Sequence, residues 1–502
     1  MERTSNNESL HVFFAALVLA GPFYFFGNDM GAGLSLQILA LLAAIMVIAS
    51  LNRPSFILKN RWMLAAIGIF SFFLSWRDSS ELYCLNLLAT FLLFAFVSFY
   101  KDPKKLKLAG ASGYFHPIFS LLRGSFQGFH DFAFQKICWR DLASPRDSIV
   151  KRCISVLFGV LIAVPCLCLL GYLLVSADER FGKMISNMIP HFSWNLALFF
   201  WIPFWFWALG GFFREVFLKE RASNIPKVSP APSLGIIEIG IPLGLICVLF
   251  FAFILSQTPY FFGEVGTVGL AEAARKGFFQ LVITATLMIP LLLFADWMVD
   301  KTNPIHQKIF TALALAVILL LYCIMGLALW RMFLYQASFG LTQLRFFTTA
   351  FMLWMAGLFT YFIFSVLRGK RSQFYSGAFF SALVVVILLN IINPDAWIAG
   401  TNIKRAQEGK KLDITYFINL SNDAIPVLIE HMPEMSDQDK CYLKRVMAGR
   451  IGFSNDRNDW RDWNWSQHAI KAINPESLEP SSCKIYRDPS EYSDGTMNPD
   501  EI

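Results

Sequence analysis

Apolar residues recur along the chain in runs of about 20, the length at which a helix crosses a hydrocarbon core of roughly 30 Å. Eleven such runs are legible, at 11–27, 33–51, 62–76, 81–100, 153–175, 193–214, 235–256, 277–298, 307–330, 345–366 and 374–392. The third is the shortest. A large soluble helical protein would need polar stripes at helical spacing along these runs. Stretches such as Leu313 to Leu327 and Ser381 to Leu389 have none. The pattern predicts an all-α fold: a polytopic transmembrane helical bundle of about eleven spans, with a small helical C-terminal extramembrane domain.

Four short polar clusters abut these runs: Ser176–Phe181, Glu272–Phe278, Tyr335–Arg345 and Asn393–Arg405. Counting spans puts all four on one side of the membrane. Lysines and arginines assign the sides, because cytoplasmic loops are enriched in them. With the N-terminus on side A, loops 52–61, 101–152 and 367–373 hold most of the loop Lys and Arg, whereas loop 77–80 on side B has only Arg77. Side A is therefore expected to be cytoplasmic, which places the N-terminus inside and the chain from Asn393 outside. The expected location is the inner (cytoplasmic) membrane. Met1–Leu10 carries two Glu and one Arg, so it lacks a basic signal-peptide start, and the first run is expected to remain as an anchor.

Composition agrees with the pattern. Charged residues make up 16% of the chain, against roughly 25% in an average soluble domain. The formal charge of +7 divides unequally: residues 1–392 carry +12 and the tail from 393 carries −5. The positive excess reads as topogenic and lipid-facing, with no case for nucleic acid.

The chain divides into four parts. Residues 1–152 hold four spans and a basic loop, within which Phe115–Cys138 reads either as an amphipathic helix on the inner leaflet or as a plain linker. Residues 153–392 hold seven spans. Pro165, Pro203, Pro242 and Pro290 fall inside spans and are expected to kink them, and Gly240 and Gly244 form one small-xxx-small pair. Residues 393–472 read as an extracytoplasmic domain of short helices, with Ser421 as an N-cap and amphipathic segments at Met435–Gly449 and Asp459–Ala472. Trp460, Trp463 and Trp465 in the latter either pack inward or sit at the headgroup belt. Residues 473–502 are rich in Pro, Ser, Glu and Asp and are expected to be disordered.

Little catalytic chemistry is visible. Cys166 and Cys168 point about 200° apart on a helix and cannot share an ion. The histidines form no i, i+4 pair, so no metal site is expected. No phosphate loop or Ser-His-Asp set appears, and no cofactor is expected. Cys441 and Cys483 alone lie in the outside tail, where they either form a disulfide or stay as free thiols. Glu238 and Asp296 lie near cytoplasmic span ends and are expected to snorkel to the interface.

The charged residues of the polar clusters are the remaining candidates. Asp178, Glu272, Arg275, Arg345, Asn402 and Arg405 all fall near the outer span ends and are expected to share one positively charged pocket. Arginine binds phosphate or carboxylate through a planar fork of donors. Two readings follow beyond the lipid bilayer itself as a partner. One is an envelope protein that binds an acidic partner or an anionic lipid headgroup at its outer face. The other is a membrane enzyme or lipid-handling protein acting on a phosphate-linked lipid. The competing explanation is a set of salt bridges that merely anchor loops.

Several stretches resemble a known family. Asn393-Pro-Asp-Ala-Trp-Ile-Ala, Asn402-Ile-Lys-Arg-Ala406, Leu412-Asp413, Tyr416 and Leu420-Ser-Asn-Asp-Ala-Ile-Pro426 look like the C-terminal signature of a bacterial polytopic membrane family, domain of unknown function 4173, related to 4153. Phe339-Gly-Leu-Thr-Gln-Leu-Arg345, Ser176-Ala-Asp178, Glu272-Ala-Ala-Arg275 and Asp459-Trp-Arg461 are similar to further motifs. The resemblance spans roughly 153–472 and implies the bundle without implying an activity.

Overall fold

The computed structural model describes residues 11–22, 31–100, 106, 110–131, 196–218, 236–256, 267–299, 303–410, 412–456 and 460–471. Among them the regular secondary structure is helical: α1 His11–Pro22, α2 Ala32–Asn52, α3 Pro54–Trp76, α4 Ser80–Phe99, α5 Ala111–Asp131, α6 Leu196–Phe213, α7 Ile236–Ser256, α8 Thr267–Met298, α9 Pro304–Phe339, α10 Gln343–Ser365 and α11 Arg371–Ile392. Shorter helices follow: α12 Pro394–Gln407, α13 Ile425–Glu430, α14 Asp437–Asp456 and α15 Trp465–Lys471. Eight of the described helices, α2, α3, α4, α7, α8, α9, α10 and α11, are long and apolar enough to cross a membrane. The chain is a multi-pass membrane protein. Runs 11–27 and 193–214 correspond to the shorter apolar helices His11–Pro22 and Trp201–Phe213, and 153–175 lies outside the described residues.

Two boundaries differ from the sequence reading in an instructive way. Helix α3 is 23 residues long and starts at Pro54, so Lys59 and Arg61 stand on the helix rather than in a loop. Proline suits the first helical turn because its missing N–H would have no partner there. Helix α9 is 36 residues long. At about 1.5 Å per residue it exceeds a hydrocarbon core by several turns, and its end carries Tyr335 to Phe339. Polar cluster Glu272–Phe278 lies inside α8, and Asn393–Arg405 is the cap and body of α12. These two clusters are helical rather than loops. Tyr335–Arg345 runs from the end of α9 through a turn into α10, and Ser176–Phe181 lies outside the described residues.

The chain packs as two compact units, residues 1–72 with 87–227, and 73–86 with 228–502. Within the first, Ser35 and Ser71 exchange hydroxyl-to-carbonyl hydrogen bonds of 2.7 and 2.9 Å, fastening α2 to α3. Helix α5 places Gly124 so close to α6 that a Cβ on Gly211 would lie 2.7 Å from the Gly124 carbonyl oxygen. The sequence reading started this amphipathic segment at Phe115; the helix begins at Ala111 and exposes Phe115, Phe119 and Leu122 on one stripe.

In the second unit, α7, α8, α10 and α11 gather with α9 around a core that includes Leu292, Phe310, Val317, Leu321, Phe359 and Phe362. Pro242 and Pro290 sit inside their helices. Gly240 faces Leu313 at ordinary contact distance and Gly244 faces open space, so the pair is not a close-packing motif. Asp296 does not snorkel. It is buried and faces Arg371 at 3.9 Å, since a charge withdrawn from water requires a partner. A separate hydrophobic cluster joins α12, α13, α14 and α15 through Ile398, Ile403, Phe417, Ile425, Leu443 and Ile470.

Candidate functional site

Arg77, Asp78 and Ser79 connect α3 to α4, and each is claimed by the segment that follows α11. Asp423, in a short 3₁₀ turn at Asn422–Ala424, is 4% exposed. Its Oδ2 accepts hydrogen bonds from the backbone N–H of Asp78 at 2.8 Å and of Ser79 at 3.1 Å. Its Oδ1 accepts from the Ser466 hydroxyl and faces the Arg77 guanidinium at 3.6 Å. The exchange is mutual. Asp78 accepts from the Asn422 N–H at 3.3 Å and the Gln467 amide at 3.0 Å. Arg77 Nε donates to the Asn390 carbonyl at 2.8 Å, and the Asn390 and Asn86 amides pair through two bonds of 2.9 and 3.0 Å. Asn464 and Ser466 donate to the carbonyls of Arg77 and Trp76. These bonds stitch the ends of α3, α4 and α11 to one another and to α15.

Asn393 makes the sharp corner. It is the one non-glycine residue with positive φ among the described residues, at 56°, and its side chain caps α12 by accepting from the Ala396 N–H. Asparagine tolerates the left-handed conformation better than other side chains. Asp395 then stands in the first turn of α12, where a carboxylate is favoured by the helix dipole. It is fully buried and accepts from Gln343 Nε2 at 2.9 Å and the Ser421 N–H at 3.0 Å. Ser421 does precede a helical turn, but its hydroxyl donates to Asp423 instead of capping the backbone.

A second polar knot forms where α9 turns into α10. Gly340 has φ of 81°, the left-handed region that glycine alone enters freely. Asn402 grips the next residue from both sides, accepting from the Leu341 N–H at 2.7 Å and donating to its carbonyl at 2.8 Å. Arg405 donates to the Ser338 carbonyl at 2.9 Å, and Arg345 donates to the Gly340 carbonyl with its guanidinium 4.1 Å from the Tyr335 ring centre. Both cations thereby serve the last carbonyls of α9, which have no partner within the helix.

Of the residues picked from sequence, Arg345, Asn402 and Arg405 thus meet at one turn. Asp178 lies outside the described residues, and the side chains of Glu272 and Arg275 on α8 are also outside them. Arg77, Asp78, Asn86, Asn390, Asp395, Asp423 and Ser466 form the larger network, beside which Arg450 donates to the Leu420 carbonyl at 2.9 Å, and none of these was picked. The hints were the Arg-Asp-Ser-Ser loop, too polar for a plain connector between apolar helices, and the family-like motifs at 393–399 and 420–426, which contain Asp395 and Asp423. Cys441 is disulfide-bonded, and Cys483, its expected partner, lies outside the described residues. Among the described residues no three His, Cys, Asp or Glu side chains group as metal ligands.

Burial dominates the protonation of the network. It pushes the carboxyls of Asp78 and Asp395 above the usual aspartate range, partly opposed by the donors that reach them, and pulls the guanidiniums of Arg77 and Arg450 down. A carboxyl with a raised folded value binds its proton more tightly folded than unfolded. Its stabilising contribution is full below the ordinary aspartate range and is lost as pH rises through the raised value. Protease protection of α14 and α15 is therefore expected to be greater at mildly acidic than at neutral pH. Asp78→Asn with Asp395→Asn should flatten that difference; protection that rises with pH would contradict the assignment.

The sequence matches the family described as Domain of unknown function (DUF4153) over residues 63–431. The match is to 4153, not to the 4173 relative that the motifs resembled. It begins well before the motif resemblance and includes the Arg77 loop, Asn402, Arg405 and Asp423, but stops short of α14 and α15. Comparison with curated proteins and with solved structures gives no match. The chain belongs to the DUF4153 family.

Proposed function

We propose that this is a non-enzymatic envelope protein of the cytoplasmic membrane, with the segment from Asn393 on the extracytoplasmic side, that binds an anionic ligand over the Gly340 turn. The observation that carries this reading is the convergence of two guanidiniums on that turn. A Cβ on Gly340 would lie 3.1 Å from Arg405 Nη2, and the Gly340 carbonyl accepts from Arg345 Nη1. Among the described residues Arg345 has carbonyl and aromatic partners but no carboxylate. Two like charges, half-buried and adjacent, gain from an anion placed beside both of them. A binding role also suits the acids. Asp395 and Asp423 have both oxygens engaged by donors, leaving neither disposed as a general base.

Mass spectrometry of full-length protein purified in mild detergent tests the reading. Arg345→Gln with Arg405→Gln should lose an anionic species that co-purifies with the unaltered chain. Asn402→Ala loosens the same turn without removing charge and should retain it. Equal recovery from all three proteins would exclude the proposed site.

A further inference from the structure

Three large aromatic side chains after α11 lie open to the surroundings: Trp397 is 57% exposed, Trp463 40% and Trp465 57%. Their distance from the span ends is fixed by covalent and hydrogen-bond geometry. Trp397 lies only five residues beyond Ile392, the last residue of α11, whose lipid-type surface continues to Ile391 and Ile392, 58% and 43% exposed. At about 1.5 Å per helical residue, Trp397 can climb no more than roughly one turn from that end. Trp463 and Trp465 flank Asn464, whose amide donates 2.9 Å to the carbonyl of Arg77, one residue past the end of α3. Ser466 reaches the carbonyl of Trp76 at 3.2 Å. The two rings meet edge to face at 6.3 Å and stay exposed together.

We propose that Trp397, Trp463 and Trp465 insert into the headgroup layer of the bilayer leaflet at this end of the bundle. The segment 393–471 is then a membrane-surface structure and not a domain held off in water. Trp397 closely follows the exposed Ile391 and Ile392 in the chain, and the level is that of the ends of α3 and α11, where indole rings with an apolar body and one N–H donor are favoured. An aqueous setting would leave three indoles uncovered beside a buried, fully bonded polar network. This inference does not depend on anion binding at the Gly340 turn.

The test uses full-length protein in lipid nanodiscs carrying bromine either just below the headgroups or at the chain ends, with iodide as the aqueous quencher. The signal of interest is the fluorescence removed by Trp397→Phe, Trp463→Phe and Trp465→Phe together, so the other tryptophans cancel. We expect that component to lose more intensity to shallow bromine than to deep bromine, and little to iodide. Loss to iodide alone would place the rings in water and overturn the proposal. Resistance to all three quenchers would show that protein covers them, which overturns it equally. If the triple variant does not fold, Trp397→Phe and Trp465→Phe measured separately give the same comparison.

Discussion

Replacing Asp423 with alanine detaches segment 393–471 from the ends of α3 and α4, at a cost of about 3–5 kcal/mol. The carboxylate has 1% of its side chain exposed and faces Arg77, itself 10% exposed, so removing it strands a buried cation. It also leaves the N–H groups of Asp78 and Ser79 without their acceptor. Each buried donor left unmade costs roughly 1–3 kcal/mol. Local opening is the appropriate measure, because a multi-pass chain need not unfold in one step. The expected result is rapid protease cleavage within α14, in detergent, under conditions where the unaltered protein resists. Arg77→Met combined with Asp423→Leu should recover part of the loss, since no charge is then stranded, though the two N–H groups remain orphaned. A cost below about 1 kcal/mol for Asp423→Ala would mean that the pair is solvated.

That network was nearly invisible in the sequence for a physical reason. Arg77 and Asp78 read as ordinary loop charges, and the basic count used for orientation cannot distinguish a solvated arginine from one bonded to Asn390. The partners lie more than 300 residues apart in the chain, at separations of 344 for Asp78 and Asn422 and 313 for Arg77 and Asn390. No local periodicity encodes such pairs. The spans were legible because burial in lipid demands an unbroken apolar run, and so eight of the predicted runs recur as long helices. Their ends were less so: Lys59 and Arg61 interrupt hydropathy but not the helix, and their exposed side chains, with Arg61 5.3 Å from the Trp62 ring, need no loop to reach water. At the Gly340 turn, sequence pointed to Arg345, Asn402 and Arg405 as charge and amide near one depth. It did not show that Asn402 spends both ends of its amide on one backbone residue.

The second large effect belongs to that amide. Asn402→Ala orphans the buried N–H and carbonyl of Leu341 at once, for an expected loss of about 2–4 kcal/mol. Asn402→Asp should fare no better, because the donor is replaced by an oxygen facing the Leu341 carbonyl. Gly340→Ala attacks the same contact from the other side. Its Cβ would sit 2.9 Å from Asn402 Oδ1 in a backbone conformation with φ of 81°, which costs an ordinary residue roughly 1–2 kcal/mol even in open space. The two changes must therefore be non-additive. Once Asn402 is alanine, the atom that the new methyl meets is gone, and Gly340→Ala retains the backbone strain and the contact with Arg405. Protease cleavage at the turn between α9 and α10, compared for the two single variants and the double variant, should show a combined loss smaller than the sum, as expected for residues sharing one contact. Strict additivity would mean that the turn relaxes so that the new methyl never meets Asn402, and that the two residues share no contact.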